Sequence, residues 1–256
     1  MDVKKMLAVG TAIVGTVAMA DIVSSSVVGY AQKDTLASGN QMLAAQFTSV
    51  SATDGSATLA DLTVGGYEPY DEATDEGGTS GDLSIQFLNS SGATEARYYW
   101  FDDDVKTGWF DTAGTASDAV KLESARGVWT SGSGLTFTSA GAVNESDILV
   151  VTRSSGNQAV GNATPVDLKL SQIAVSGYEP YDEATDEGGT SGDLSIQFLS
   201  SSGTTLARYY WFDDDVKTGW FDTAGNDASN VSFPAGTGVW VSGGGLTIRI
   251  PAPELN

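Results

Sequence analysis

The chain has 256 residues, with 12 Lys and Arg against 33 Asp and Glu, no His and no Cys, for a formal charge of −21. Those absences remove disulfides, thiolate nucleophiles, iron–sulfur clusters, the Ser-His-Asp triad and every His-containing zinc site, and the acidity sets the chain against phosphate backbones, so nucleic acid is not an expected partner. Hydrophobic residues at 41% and aromatics at 9% suffice for a packed core, and 31 Gly against 6 Pro suit an all-β chain with many turns.

Residues 1–20 begin with Lys4 and Lys5, continue through an apolar stretch from Met6 to Val17 and close on Ala18-Met19-Ala20 before Asp21. This is the order of a secretory signal peptide, with cleavage expected after Ala20. The apolar run is shorter than the ~20 residues that span a bilayer. No later segment is more apolar, so a secreted, extracellular or cell-surface protein without stable membrane insertion is expected.

Beyond Ala20 the chain is one module written twice. Val64–Gly114 returns as Val175–Gly225 at an offset of 111 residues, with only four of 51 positions changed: Gly65/Ser176, Asn89/Ser200, Ala93/Thr204 and Glu95/Leu206. The register runs on through Gly127-Val128-Trp129 and Gly238-Val239-Trp240. Upstream, Ser38-Gly39-Asn40-Gln41 matches Ser155-Gly156-Asn157-Gln158 at an offset of 117. Modules are therefore placed at 21–143 and 144–256, each of ordinary domain size.

Alternation predicts strands in chain order at 26–31, 42–50, 82–87, 96–101, 108–111, 127–130 and 135–139, with counterparts downstream. Leu83, Ile85 and Phe87 share one face, as do Leu246, Ile248 and Ile250. Thr58–Leu62 reads as a strand or a short helical turn. The expected fold is all-β, with each module a β-sandwich or a partly open barrel.

Three constellations carry candidate chemistry. The first is the acidic loop Tyr67–Asp82 and its copy Tyr178–Asp193. Calcium takes six to eight hard oxygen ligands from flexible, carboxylate-rich loops, so Asp71, Glu72, Asp75, Glu76 and Asp82, with Asp182, Glu183, Asp186, Glu187 and Asp193, are candidate Ca2+ ligands. The segment does not match the D-x-[DN]-x-[DN]-G-x₅-E loop, and a solvated acidic loop is the alternative. The second is Phe101–Asp111 with its copy Phe212–Asp222. Its aspartates read as the turn of a β-hairpin that places Trp100 and Trp109 in the core, with Asp102, Asp104, Asp213 and Asp215 as a second cation site in the alternative reading. The third is the aromatic run Tyr98–Phe101. Rings point to both faces, leaving Tyr99 and Phe101, with Tyr210 and Phe212, as a stacking platform for sugars, a partner interface, or part of a core closed on both sides.

Leu206, standing where the first copy has Glu95, is a residue that meets the other module or a neighbouring molecule, or else a surface position free to vary. Val27, Val28 and Tyr30 lie on a strand that forms an internal edge of the first module or pairs with another subunit. Four Asn-x-Ser/Thr matches, at Asn89, Asn144, Asn162 and Asn230, mark potential glycan acceptors. The chain shows no nucleophile motif, no phosphate-binding glycine loop and no isolated carboxylate in apolar surroundings, so no catalytic residue is assigned.

The segments Asp21–Tyr30, Gly39–Met42, Thr58–Leu62, Tyr98-Tyr99-Trp100, Gly108-Trp109 and Gly127-Val128-Trp129 resemble a group of secreted β-rich proteins of bacteria of the Verrucomicrobia and Kiritimatiellae type. The resemblance implies export and an all-β fold and brings no activity with it. The expected function is a non-enzymatic secreted or cell-surface structural protein that self-assembles into a filament, sheath or matrix. The alternative is a module that binds glycans or surface polymers with the help of calcium.

Overall fold

A computed structural model describes residues 27–49, 56–66, 83–103, 105–132, 134–178, 181–182, 187–188, 193–214 and 216–254. Residues 1–20, where a signal peptide is expected, and most of the acidic-loop carboxylates lie outside these residues. The all-β expectation holds. The first copy contributes β1 (Val28–Asp34), β2 (Asn40–Ala44), β3 (Ala57–Thr58), β4 (Leu62–Gly65), β5 (Ser84–Leu88), β6 (Thr94–Asp102), β7 (Thr107–Asp111), β8 (Lys121–Leu122), β9 (Gly127–Ser131) and β10 (Thr136–Ala142). The second contributes β11 (Ile148–Val151), β12 (Asn157–Gly161), β13 (Leu168–Lys169), β14 (Ala174–Ser176), β15 (Tyr181–Asp182), β16 (Glu187–Gly188), β17 (Ser195–Leu199), β18 (Thr205–Asp213), β19 (Thr218–Asp222), β20 (Ser232–Phe233), β21 (Gly238–Ser242) and β22 (Thr247–Ile250).

The sheets repeat with the sequence. Each copy builds an antiparallel five-stranded sheet, in the orders β2-β9-β5-β6-β7 and β12-β21-β17-β18-β19. Each adds a three-stranded sheet, β1-β10-β4 and β11-β22-β14, and a two-stranded ribbon, β3-β8 and β13-β20. The helical reading of Thr58–Leu62 is correct for its centre, where Leu59–Asp61 forms one 3₁₀ turn. Asp61 closes it by accepting from the Thr58 backbone N–H at 2.7 Å. In the second copy Gln172 takes that role toward the Lys169 N–H at 2.8 Å, so the turn keeps its form without a carboxylate.

The core follows the alternation. Leu83, Ile85 and Phe87 are all buried, and so are the cross-strand partners Trp100 and Trp109. The first copy's core gathers Leu59, Leu62, Val64, Leu135 and Phe137 around them. The second copy's core gathers Leu170, Ile173, Leu194, Ile196, Trp220 and Phe233. Burial of this many large side chains, at about 1.5–3 kcal/mol each, is what offsets the entropy of ordering two long runs of short strands.

The copies meet through a reciprocal set of contacts. Asn40 N–H donates to Ser201 O at 3.0 Å, and the equivalent Asn157 N–H donates to Ser90 O at 3.0 Å. Ala44 N–H donates to Gly236 O at 3.0 Å, and its equivalent Gly161 N–H to Ala125 O at 2.8 Å. Isolated bridges join Leu43 to Thr237 and, at the equivalent places, Val160 to Arg126. Each of these contacts thus occurs twice with the roles of the copies exchanged, which defines a pseudo-two-fold relation between them. Met42, Trp129 and Trp240 pack into a small apolar cluster at this junction.

Candidate functional site

The reciprocal contacts place the β2 and β9 end of one five-stranded sheet against the β12 and β21 end of the other. Side chains on the facing surfaces follow from the register. Gln86 on β5 is flanked by Trp129 on β9 and Arg97 on β6, and Gln197 is flanked in the same way by Trp240 and Arg208. Beyond the apolar junction the two sheets leave a cleft of about 480 Å³. Its lining comes from equivalent residues of both copies, among them Gln86 and Gln197, Thr94 and Thr205, and Trp129 and Trp240.

Short turns close the cleft at its ends. Gly92, in the β5–β6 turn with φ +84°, faces the other copy's indole: a Cβ there would stand 3.6 Å from Trp240 Cζ2. Gly203 faces Trp129 in the same way at 3.8 Å. Each copy's hairpin turn therefore reaches across to the tryptophan of the other. The conformation with positive φ suits Gly because a side chain there is strained.

The polar geometry is fixed. Gln86 Oε1 accepts from Arg97 Nη2 at 2.7 Å and from Thr94 Oγ1 at 2.8 Å. Gln197 Oε1 accepts from Arg208 Nη2 at 2.8 Å and from Thr205 Oγ1 at 3.0 Å. Two donors on the oxygen leave the amide NH2 as the free end. The guanidinium of Arg97 also donates to the Tyr99 hydroxyl at 3.3 Å, as Arg208 does to Tyr210.

The aromatic residues singled out from sequence are differently disposed from the open platform reading. Tyr99, Phe101, Tyr210 and Phe212 are half-buried. Lys106 Nζ sits 3.3 Å from the Phe101 ring centroid and Lys217 Nζ 3.4 Å from that of Phe212, while Phe110 and Phe221 pack edge-on at 5.8 Å. A cation over the ring face is attracted by its quadrupole. It also occupies one face of each of the Phe101 and Phe212 rings.

The aspartate turn is a hairpin, as its residues suggest. Asp103 Oδ1 accepts from the Val105 and Lys106 N–H groups at 2.9 and 2.8 Å. Asp102 accepts from Thr107 Oγ1 at 3.1 Å and Asp213 from Thr218 Oγ1 at 3.0 Å. Asp213 also accepts from the Tyr178 hydroxyl and by this bond and its charge holds that phenol above its ordinary pKa. Among the described residues no group of three or more carboxylates is positioned to hold a metal. Asp193 is exposed. Asp71, Glu72, Asp75, Glu76, Asp82, Asp104, Glu183, Asp186 and Asp215 lie outside the described residues; Asp182 and Glu187 are described only as strand positions.

Leu206 is 71% exposed. Its equivalent Glu95 instead pairs with Arg126 of its own copy at 3.7 Å. Asn162 is not an accessible glycan acceptor. It is fully buried, and its Nδ2 donates to Phe233 O at 2.8 Å and Val166 O at 3.0 Å. Val28 and Tyr30 are exposed, at 64% and 69%, and Val27 partly so.

The cleft itself escapes a reading of either copy alone, because half of its lining belongs to the other. A signal was present in Ser84 and Gln86, polar residues on the outward face of a core strand that recur unchanged as Ser195 and Gln197. Compared with known proteins, the chain matches no family model, no curated protein and no solved structure.

Proposed function

We propose that the chain is an exported, non-catalytic structural protein of the cell exterior, built of two β-sandwich-like modules and joined into filaments or sheets through its free strand edges. The observation that carries the reading is the outward surface of the two edge strands. β1 and β11 each end a three-stranded sheet, pairing on one side only among the described residues. β1 presents Val28 and Tyr30, and β11 presents Leu149 and Val151 at 65% and 66% exposure. An edge strand with unpaired backbone groups and apolar side chains is a template for pairing with another chain.

The two edges are unequal. By register, Leu149 and Val151 occupy the places of Gln32 and Asp34, so the second copy is apolar where the first is polar, and the first is apolar one turn of pleat upstream. Two different edges on one molecule favour head-to-tail contacts, which propagate as open assemblies. The signal-peptide pattern supports export, and the absence of His, Cys and a nucleophile motif supports a role without catalysis.

Analytical ultracentrifugation of the mature chain over a hundredfold concentration range, followed by negative-stain imaging, tests this. Self-association that disappears in Tyr30→Lys combined with Leu149→Lys supports the reading. A monomer at all concentrations, or assembly that the double variant leaves intact, overturns it.

A further inference from the structure

The cleft at the pseudo-two-fold junction has properties that edge pairing leaves without a purpose. Gln86 and Gln197 are each 6% exposed, and among the described residues their Oε1 atoms have donors while the Nε2 of neither has an acceptor. An amide NH2 left over at a cleft wall is a donor available to a ligand. Both copies place such a glutamine at the same position in the lining of a cavity of about 480 Å³, which is within the range that holds small ligands.

We propose that this cleft binds a short segment of a neutral oligosaccharide, with the Gln86 and Gln197 amides donating to sugar hydroxyls and the Trp129 and Trp240 indoles packing against the sugar rings. The lining has the composition that sugars need. The indoles, 9% and 8% exposed, give the cleft an apolar edge for the C–H groups of a pyranose, and the hydroxyls of Ser91, Ser202, Thr94 and Thr205 offer acceptors. Thr94 and Thr205 already donate to their glutamines, so toward the cleft their oxygens accept.

Charge selects the class further. Among the described residues no Asp, Glu, Lys or Arg lines the cleft, although the chain as a whole carries −21. An anionic polymer would be repelled by the chain's field and would find no cation waiting, since Arg97 and Arg208 are already bound to the glutamine oxygens. An extended peptide is also disfavoured, because the sheets turn their faces rather than their edges to the cleft and leave its backbone unpaired. The pseudo-two-fold relation presents the same donor set from both walls of the cleft. This assignment stands apart from strand-edge assembly, and either can fail without the other.

Isothermal titration of the mature chain with cellotetraose, laminaritetraose, chitotetraose, mannotetraose and maltotetraose tests the proposal, with a Gly-Ser tetrapeptide as the competing class. Gln86→Glu and Gln197→Glu are the discriminating variants. Each keeps the oxygen that Arg97 or Arg208 and the threonine hold, and each replaces the free donor by an acceptor. Binding of at least one tetrasaccharide that weakens tenfold or more in each variant, with the thermal midpoint and elution volume of the wild type retained, is the expected result. Silence of all five sugars, preference for the peptide, or binding that survives both substitutions overturns the proposal. If a variant loses its fold, Thr94→Val and Thr205→Val, which remove acceptors from the cleft wall, carry the same test.

Discussion

Gly161→Ala probes the junction at its tightest point. Gly161 lies in β12 with an ordinary extended φ, so alanine is conformationally acceptable there, and without neighbours the change would stabilise by ~0.4–1 kcal/mol through the unfolded chain. The structure reverses that sign. A Cβ at Gly161 would stand 2.0 Å from Ala44 Cβ and 3.3 Å from Ala44 Cα, whereas carbon atoms settle at about 3.5–4.0 Å. Neither Cβ has a rotamer through which to escape, so the copies must part by roughly 1.5 Å. That movement breaks the hydrogen bonds from Ala44 N to Gly236 O and from Gly161 N to Ala125 O, at about 1 kcal/mol each. Overpacking adds about 1–3 kcal/mol. The sum, about 3–5 kcal/mol, corresponds to a fall in thermal midpoint on the order of 6–20 °C for a chain of this size. Because Ala44 and Gly161 are equivalent positions facing each other, Ala44→Gly in the same chain should restore most of the loss. Differential scanning fluorimetry of the two single variants and the double variant measures the cycle. A midpoint unchanged by Gly161→Ala, or a loss that Ala44→Gly does not recover, would refute this packing of the two copies.

Asp111 and Asp222 close the turns after β7 and β19, and both are held below the usual carboxylate range. For Asp111 the cause is chiefly the backbone N–H of Thr115, with Ala113; for Asp222 it is chiefly the Asn226 side chain, with the Asn226 and Ala224 N–H groups. A depressed folded pKa contributes stability that is complete above the unfolded value of about 3.9 and is lost as pH falls through the folded value. Asp111→Asn with Asp222→Asn should therefore lower the thermal midpoint at pH 7, with the gap to the wild type narrowing below about pH 4; a gap independent of pH refutes the assignment. Asn162→Ala should cost about 3 kcal/mol, since it strips partners from Phe233 O, Val166 O, Thr164 N and Thr164 Oγ1 together. Urea unfolding measures it, and a loss below about 1 kcal/mol would show that water replaces the amide.

The strands were legible because each has one face in its own core. Leu83, Ile85 and Phe87 alternate in sequence and are buried together, and the Asp-rich turn between Trp100 and Trp109 contains the acceptors that its own N–H groups require. The opposite faces were not legible, because what covers them is far away along the chain. Ser84 and Gln86 alternate as solvent-facing residues do, yet are 2% and 6% exposed. The surplus of rings at Tyr99 and Phe101 looked like a platform because the sequence does not say that Lys106, five residues on, folds back over Phe101. Glycine misled in a further way. A high count suggests turns, but Gly127, Gly161 and Gly238 lie within strands at the junction, where Ala159, Ala44 and Met42 approach so closely that no Cβ fits without a shift.

The differences between the copies fall in a pattern set by this packing. The sequence repeats almost unchanged through Val64–Gly114 and Val175–Gly225. Where equivalent positions meet across the pseudo-axis, two alanines do not fit: Ala44 in the first copy faces Gly161 in the second. Met42 presses on Gly238 and Ala159 on Gly127, so both copies keep glycine at the receiving place while the residue that presses on it differs. Two tethered copies can diverge at such a contact independently. Directly beside that altered contact, Gln86, Ser91, Gly92, Thr94 and Trp129 are matched residue for residue by Gln197, Ser202, Gly203, Thr205 and Trp240. Most of the cleft wall lies within the nearly unchanged repeat, so its residues match across the pseudo-axis, whereas the contact beneath them has diverged because packing there demands it.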